Sequence, residues 1–161
     1  MEKSTKMIAT FLLRLLALGA TVAATVVMVT SHETTIVVNL EFEAKYSNDP
    51  TFKYFVVANA IGSLYGLCVL LMSSKSLLKR AIVTLDVTVS MLLASSFSAA
   101  LAIAYLGKKG NSHAGWLPLC DQVPKFCDHV TGALIAGLAG VIIYLVLLLH
   151  TIHTVLNPLF P

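Results

Sequence analysis

Four long apolar runs contain one cation, Arg14 in the first, and one anion, Asp86 in the third; these two have the strongest chemical potential in the chain. A charge at the centre of a bilayer costs on the order of 2.5 kcal/mol or more, so each needs a reason to be there. Three arrangements are open: a direct or water-bridged ion pair, a snorkelling Arg14 with a protonated Asp86, or a level used by an ion or proton in transit. Depth favours the pair. If every run crosses a membrane, the first and third run in the same direction. Arg14 then lies roughly 9 Å inside its span and Asp86 roughly 7.5 Å inside its own, below the same surface.

Cys120 and Cys127 stand seven positions apart around Pro124 in WLPLCDQVPKFCDHV. That spacing suits a small disulfide-closed loop, worth roughly 2–3 kcal/mol in the entropic account, on the oxidising side of the membrane. His113, Asp121, Asp128 and His129 lie near the thiols but match no standard zinc spacing, so no metal is expected. Cys68 reads as a small packing residue, and His150 and His153 as interfacial residues. There is no Ser–His dyad, paired intramembrane histidine or phosphate-binding motif, and so no expected catalytic residue, enzyme activity or cofactor.

The elements that must position these side chains follow from composition. The 161 residues are 57% hydrophobic and 12% charged, which leaves no room for a soluble domain beside the apolar runs. The runs cover about 8–29, 54–72, 81–106 and 130–149, each long enough to cross about 30 Å of hydrocarbon as a helix. The expected fold is an all-α four-transmembrane-helix bundle, one membrane domain over 1–161, with outer loops at about 30–53 and 107–129. Val22-Ala23-Ala24 resembles a cleavage site, but the first run is too long for a signal peptide and contains Arg14.

In the first outer loop, Ile36, Val38, Leu40 and Phe42 alternate with Val37, Asn39 and Glu41. The period of two predicts a strand over Thr35–Lys45, paired with the second outer loop or with a neighbouring copy, or else an extended segment on the membrane surface. Asn48-Asp49-Pro50 marks a turn, and Trp116 suits an interfacial anchor. Small residues recur at helical spacing: Gly62 and Gly66; Ser90, Ala94, Ser98 and Ala102; and Gly132, Ala136 and Gly140, with Ala133 and Gly137 beside them. Such stripes serve close packing within the bundle or between subunits.

Basic residues tie in number across the two sides, but the short loop Ser73–Arg80 is basic without an acid. This places it and both termini in the cytosol, with the two loop cysteines outside. The formal charge of +3 is spread over several loops, so no nucleic-acid patch is expected.

FLLRLLALGATVAATVVMVTSHET, VTLDVTVSMLLASSFSAALAIAYLGKKGNSHAGW and LCDQVPKFCDHVTGAL resemble the plant CASP-like proteins, and most closely their first subfamily. These are relatives of the Casparian strip membrane domain proteins, within the wider MARVEL-type tetraspan group. The resemblance covers nearly the whole chain and matches Arg14 and Asp86 to the family's intramembrane residues. It implies a multi-pass plant plasma-membrane protein with cytosolic termini that forms homo- and hetero-oligomers. The family's founding members build immobile membrane domains and recruit wall-modifying enzymes that direct lignin deposition. Glu33-Thr34-Thr35-Ile36 only partly echoes the Glu-Ser/Thr-Leu-Pro signature of the strip-forming members and lacks its proline, so the resemblance carries the scaffold role rather than endodermal strip formation.

The expected function is thus a non-enzymatic, oligomerising plasma-membrane scaffold. Its expected partners are itself, related family members, membrane lipids and cell-wall enzymes. The alternative is a small channel or transporter-like oligomer using the Arg14/Asp86 level as an ion or proton site. That alternative is weakened because discontinuous helices and inverted repeats are missing.

Overall fold

The structure is a computed structural model that describes residues 2–37, 40–72 and 76–156. Its elements are α1 (Glu2–Val29), β1 (His32–Val37), β2 (Leu40–Lys45), a 3-10 turn (Tyr46–Asn48), α2 (Pro50–Leu71), α3 (Ser76–Lys109) and α4 (Pro124–Leu156). Among the described residues, four helices are long and apolar enough to span a membrane, over Met7–Val29, Pro50–Leu71, Ala81–Lys109 and Pro124–His153. A bilayer core offers their backbone groups no water, and a helix satisfies those groups within itself.

The helices form a ring. α1 packs on α2 and α4, and α3 packs on the same two, so α1 faces α3 across one diagonal and α2 faces α4 across the other. Leu12, Leu16, Ile61, Leu64, Met91, Ile135, Ile142 and Leu149 point outward, while Arg14, Thr21, Asn59, Asp86, Ser90 and Ser96 are buried. Apolar side chains on the outside and polar ones on the inside suit a chain whose solvent is lipid.

The interior divides along its length. Toward the two longer loops, Met28, Phe52, Phe55, Phe126, Val130 and Leu134 form one cluster. Toward the chain termini, Ala17, Val89, Leu93, Val141, Tyr144 and Leu147 form another. We refer to these as the loop end and the terminal end. At the loop end Gly137 sits under the Phe55 ring, where a Cβ would lie 2.6 Å from Phe55 Cζ.

Three sequence expectations change. The expected single strand is an antiparallel hairpin: Val37 pairs with Leu40 and His32 with Lys45, so the strand's partner is its own loop. Ile36, Leu40 and Phe42 fall in its strands, and Val38 lies outside the described residues. Alternation ran through the reversal because no glycine or proline interrupts it. The basic segment Ser73–Arg80 is only partly a loop, since α3 starts at Ser76 and takes in Lys79 and Arg80; residues 73–75 lie outside the described residues. Cys68, expected to pack, is exposed on α2.

The Asn48-Asp49-Pro50 turn is a helix cap. Asp49 Oδ1 accepts from the Thr51 and Phe52 N–H groups at 2.7 and 3.3 Å, and Pro50 occupies the first helical position, where its missing N–H costs nothing.

Candidate functional site

At the terminal end, Arg14 of α1 reaches Asp86 of α3 across the centre of the ring. Arg14 Nη2 donates to Oδ2 at 2.9 Å and Nη1 to Oδ1 at 3.2 Å, with the two side chains 8% and 0% exposed. This forked geometry suits a guanidinium, and both carboxylate oxygens are used. Tyr65 of α2 adds a third member: its hydroxyl lies 2.6 Å from Asp86 Oδ1, and also 3.1 Å from the Ile82 carbonyl. Three helices therefore meet at one carboxylate.

The other diagonal has its own crossbar. Tyr144 of α4, 1% exposed, donates to the Gly62 carbonyl of α2 at 2.6 Å. Further contacts join neighbours around the ring: Ser63 Oγ to Thr21 Oγ1 at 2.9 Å, and Tyr54 OH to Ser95 Oγ at 2.7 Å. Thr10 Oγ1 lies 3.4 Å from His150 Nδ1, linking α1 to α4. Asn59, 2% exposed, donates to the Phe55 carbonyl at 2.9 Å.

The small-residue stripes divide in the same way. Gly62, Gly66, Ser90 and Gly140 are buried between helices, Ala94 and Ala136 are half-buried, and Ser98 and Gly132 are exposed. On α4 the inward line includes Ala133, Gly137 and Gly140. A Cβ on Gly140 would meet Thr21 Cγ2 at 3.3 Å, so this position lets α1 and α4 approach closely.

At the loop end Cys120 and Cys127 form a disulfide, with Cα atoms 5.7 Å apart. Asn111 and Trp116 exchange backbone hydrogen bonds of 2.9 Å, and Trp116 is 59% exposed. Gly110 enters this turn at φ 67°, where a Cβ would lie 2.6 Å from the Trp116 carbonyl. His113 and His129 are exposed beside these loops.

Two contributions escaped the sequence reading. Tyr65 and Tyr144 were absorbed into apolar runs, although a buried phenol needs a hydrogen-bond partner. Glu33 of β1 accepts the Phe126 N–H at 2.9 Å, tying the hairpin to the first turn of α4. Its signal was the lack of a polar cap before Pro124: Val123 has no acceptor side chain, so an orphan N–H must find one elsewhere.

The Casparian strip membrane protein domain matches residues 3–143. The chain belongs to this family. It is 61% identical to CASP-like protein 1C3 of Populus trichocarpa, over 96% of this chain and 95% of the relative. CASP-like protein 1C2 of Vitis vinifera is 58% identical, over 96% of both chains. CASP-like protein 1C1 of Arabidopsis thaliana is 52% identical, over 98% of this chain and 96% of the relative. No solved structure matches the chain. As a CASP-like membrane protein, it carries its two intramembrane charges as one buried unit.

Proposed function

We propose that this CASP-like chain is a non-enzymatic, oligomerising scaffold of the plasma membrane, with both termini in the cytosol. It organises membrane domains and recruits cell-wall-modifying proteins through its outer loops. The observation that carries this reading is the closure of the Arg14–Asp86 pair. Both carboxylate oxygens accept from Arg14, Tyr65 adds a third contact, and Asp86 is 0% exposed. A permeation site must bind its ion and release it, which requires an accessible coordinating face. Here the partners of Asp86 are the protein's own side chains, and the charges act as an architectural clamp.

The disulfide supports this orientation: a Cys120–Cys127 bond suits the oxidising side, and Lys79 and Arg80 at the start of α3 suit the cytosolic one. The Glu33–Phe126 contact and the disulfide hold the two outer loops in one arrangement, as a surface for partners requires.

Reconstitution of the full chain in lipid tests the proposal. Size-resolved oligomers without ion conductance are expected, along with slow fluorescence recovery after bleaching in plant plasma membrane. Reproducible ion flux abolished by Asp86→Ala, or rapid recovery as freely diffusing monomers, would overturn it.

A further inference from the structure

At the loop end, β2, the start of α2, the end of α3 and the start of α4 surround a cavity of about 350 Å3. Its depth is apolar: Phe52, Ile103, Ala104, Phe126 and Val130 line it, with the two phenylalanine rings edge to face at 6.2 Å. Charges surround its rim. Lys45 is held by Glu43 at 2.7 Å, and Asp49 accepts from the N–H groups that open α2. Lys108 near the end of α3 and Asp128 in the first turns of α4 also line the cavity, and among the described residues neither has an ion-pair partner. Two helices thus present opposite charges to one apolar recess.

The level of the cavity decides what can reach it. Ile103, Ala104 and Val130 lie in the membrane-spanning stretches of α3 and α4, with Lys108 and Asp128 close to the loop-end limits of the same stretches, whereas Glu43 and Lys45 belong to the hairpin between spans. The recess therefore crosses the boundary between hydrocarbon and head groups. A phospholipid with a zwitterionic head presents the complementary pattern: a phosphate for Lys108, an ammonium for Asp128, and glycerol and first chain carbons for the phenylalanine-lined depth. Small-molecule sites occupy about 300–1,000 Å3, so this one holds a head group and the start of a chain rather than a whole lipid.

We propose that this cavity binds one zwitterionic phospholipid from the adjoining leaflet. The site needs neither the scaffold reading nor any particular oligomer. The lipid seals the gap between the hairpin and α3, and couples the outer loops to the membrane around them.

The full chain in mild detergent is titrated with phosphatidylethanolamine, phosphatidylglycerol or the soluble head group glycerophosphoethanolamine. Bound molecules per protomer are then counted by native mass spectrometry. One phosphatidylethanolamine is expected per protomer, with phosphatidylglycerol at least about tenfold weaker and the soluble head group not retained. Ile103→Trp fills the apolar depth and should abolish retention, whereas Leu145→Trp, on the outward face of α4, should not. Lys108→Gln with Asp128→Asn leaves the cavity intact and should remove the lipid preference. This exposed pair carries the test if Ile103→Trp fails to fold by circular dichroism. Unchanged retention and preference in the charge variant would overturn the proposal. So would phosphatidylglycerol binding as tightly as phosphatidylethanolamine, or the soluble head group binding as tightly as the lipid.

Discussion

At the terminal end the helices are joined by a few directed contacts: Arg14 to Asp86 across one diagonal, Tyr65 to the same carboxylate, and Tyr144 to Gly62 across the other. At the loop end a cluster around Phe52, Phe55 and Phe126 lies beneath a hairpin, a disulfide and the Glu33 cap. Lipid tails are as apolar as leucine, so apolar burial does little to select one helix arrangement over another inside a bilayer. A forked ion pair has one good geometry, and it fixes both the height and the facing of α1 against α3. Near the membrane surface water returns, and burying apolar area again contributes about 25 cal/mol per Å2. The loop end can therefore rely on packing and on covalent closure. Register is set at one end, and the loops are fastened at the other.

Breaking the pair tests the first half of this contrast and carries the largest expected effect. Asp86→Asn strands a buried guanidinium and should cost about 3–5 kcal/mol, whereas Arg14→Leu with Asp86→Leu should cost markedly less. Melting in detergent compares the two variants; equal losses would mean that the charges do not act together. Opening the disulfide with Cys120→Ser and Cys127→Ser should cost about 2–3 kcal/mol. Its effect should appear as faster proteolysis within 107–129, and it should add to that of Asp86→Asn, because the two sites share no partners. Strong non-additivity would show that the two ends are one unit.

Gly137→Ala drives a methyl group into the Phe55 ring and should cost about 1–3 kcal/mol, with Phe55→Leu restoring much of the loss. A melting temperature unchanged by Gly137→Ala would show that the loop-end packing is looser than this contact implies. The smallest effect is expected from Glu33→Ala, which leaves the Phe126 N–H without its acceptor. A loss of about 1 kcal/mol should be seen, with faster amide exchange at Phe126 but not around Tyr144.

Much of this architecture was legible in the chain. The lengths of the apolar runs give the four helices, and helical rise alone places Arg14 and Asp86 at one level. Seven-residue spacing made a Cys120–Cys127 bond readable, because closing so short a loop costs little chain entropy. Thr35–Lys45 reads as one strand because its apolar–polar alternation continues through the reversal, and periodicity does not report where the chain turns back. Tyr65 and Tyr144 were hidden because a tyrosine within an apolar run reads as bulk until its hydroxyl needs a partner.

By itself, then, the sequence determined which segments enter the membrane, that two opposite charges share a level, and that the second long loop can close on itself. These are consequences of local quantities: hydropathy, helical rise and spacing along the chain. Only the tertiary structure decided that the Arg14–Asp86 pair spans a diagonal of the ring, that Tyr65 joins it, and that Glu33 caps a helix 93 residues away. Those partners depend on how each helix is rotated about its axis and on which helix stands opposite. That rotation is settled by the packing of all four together, and by no segment alone.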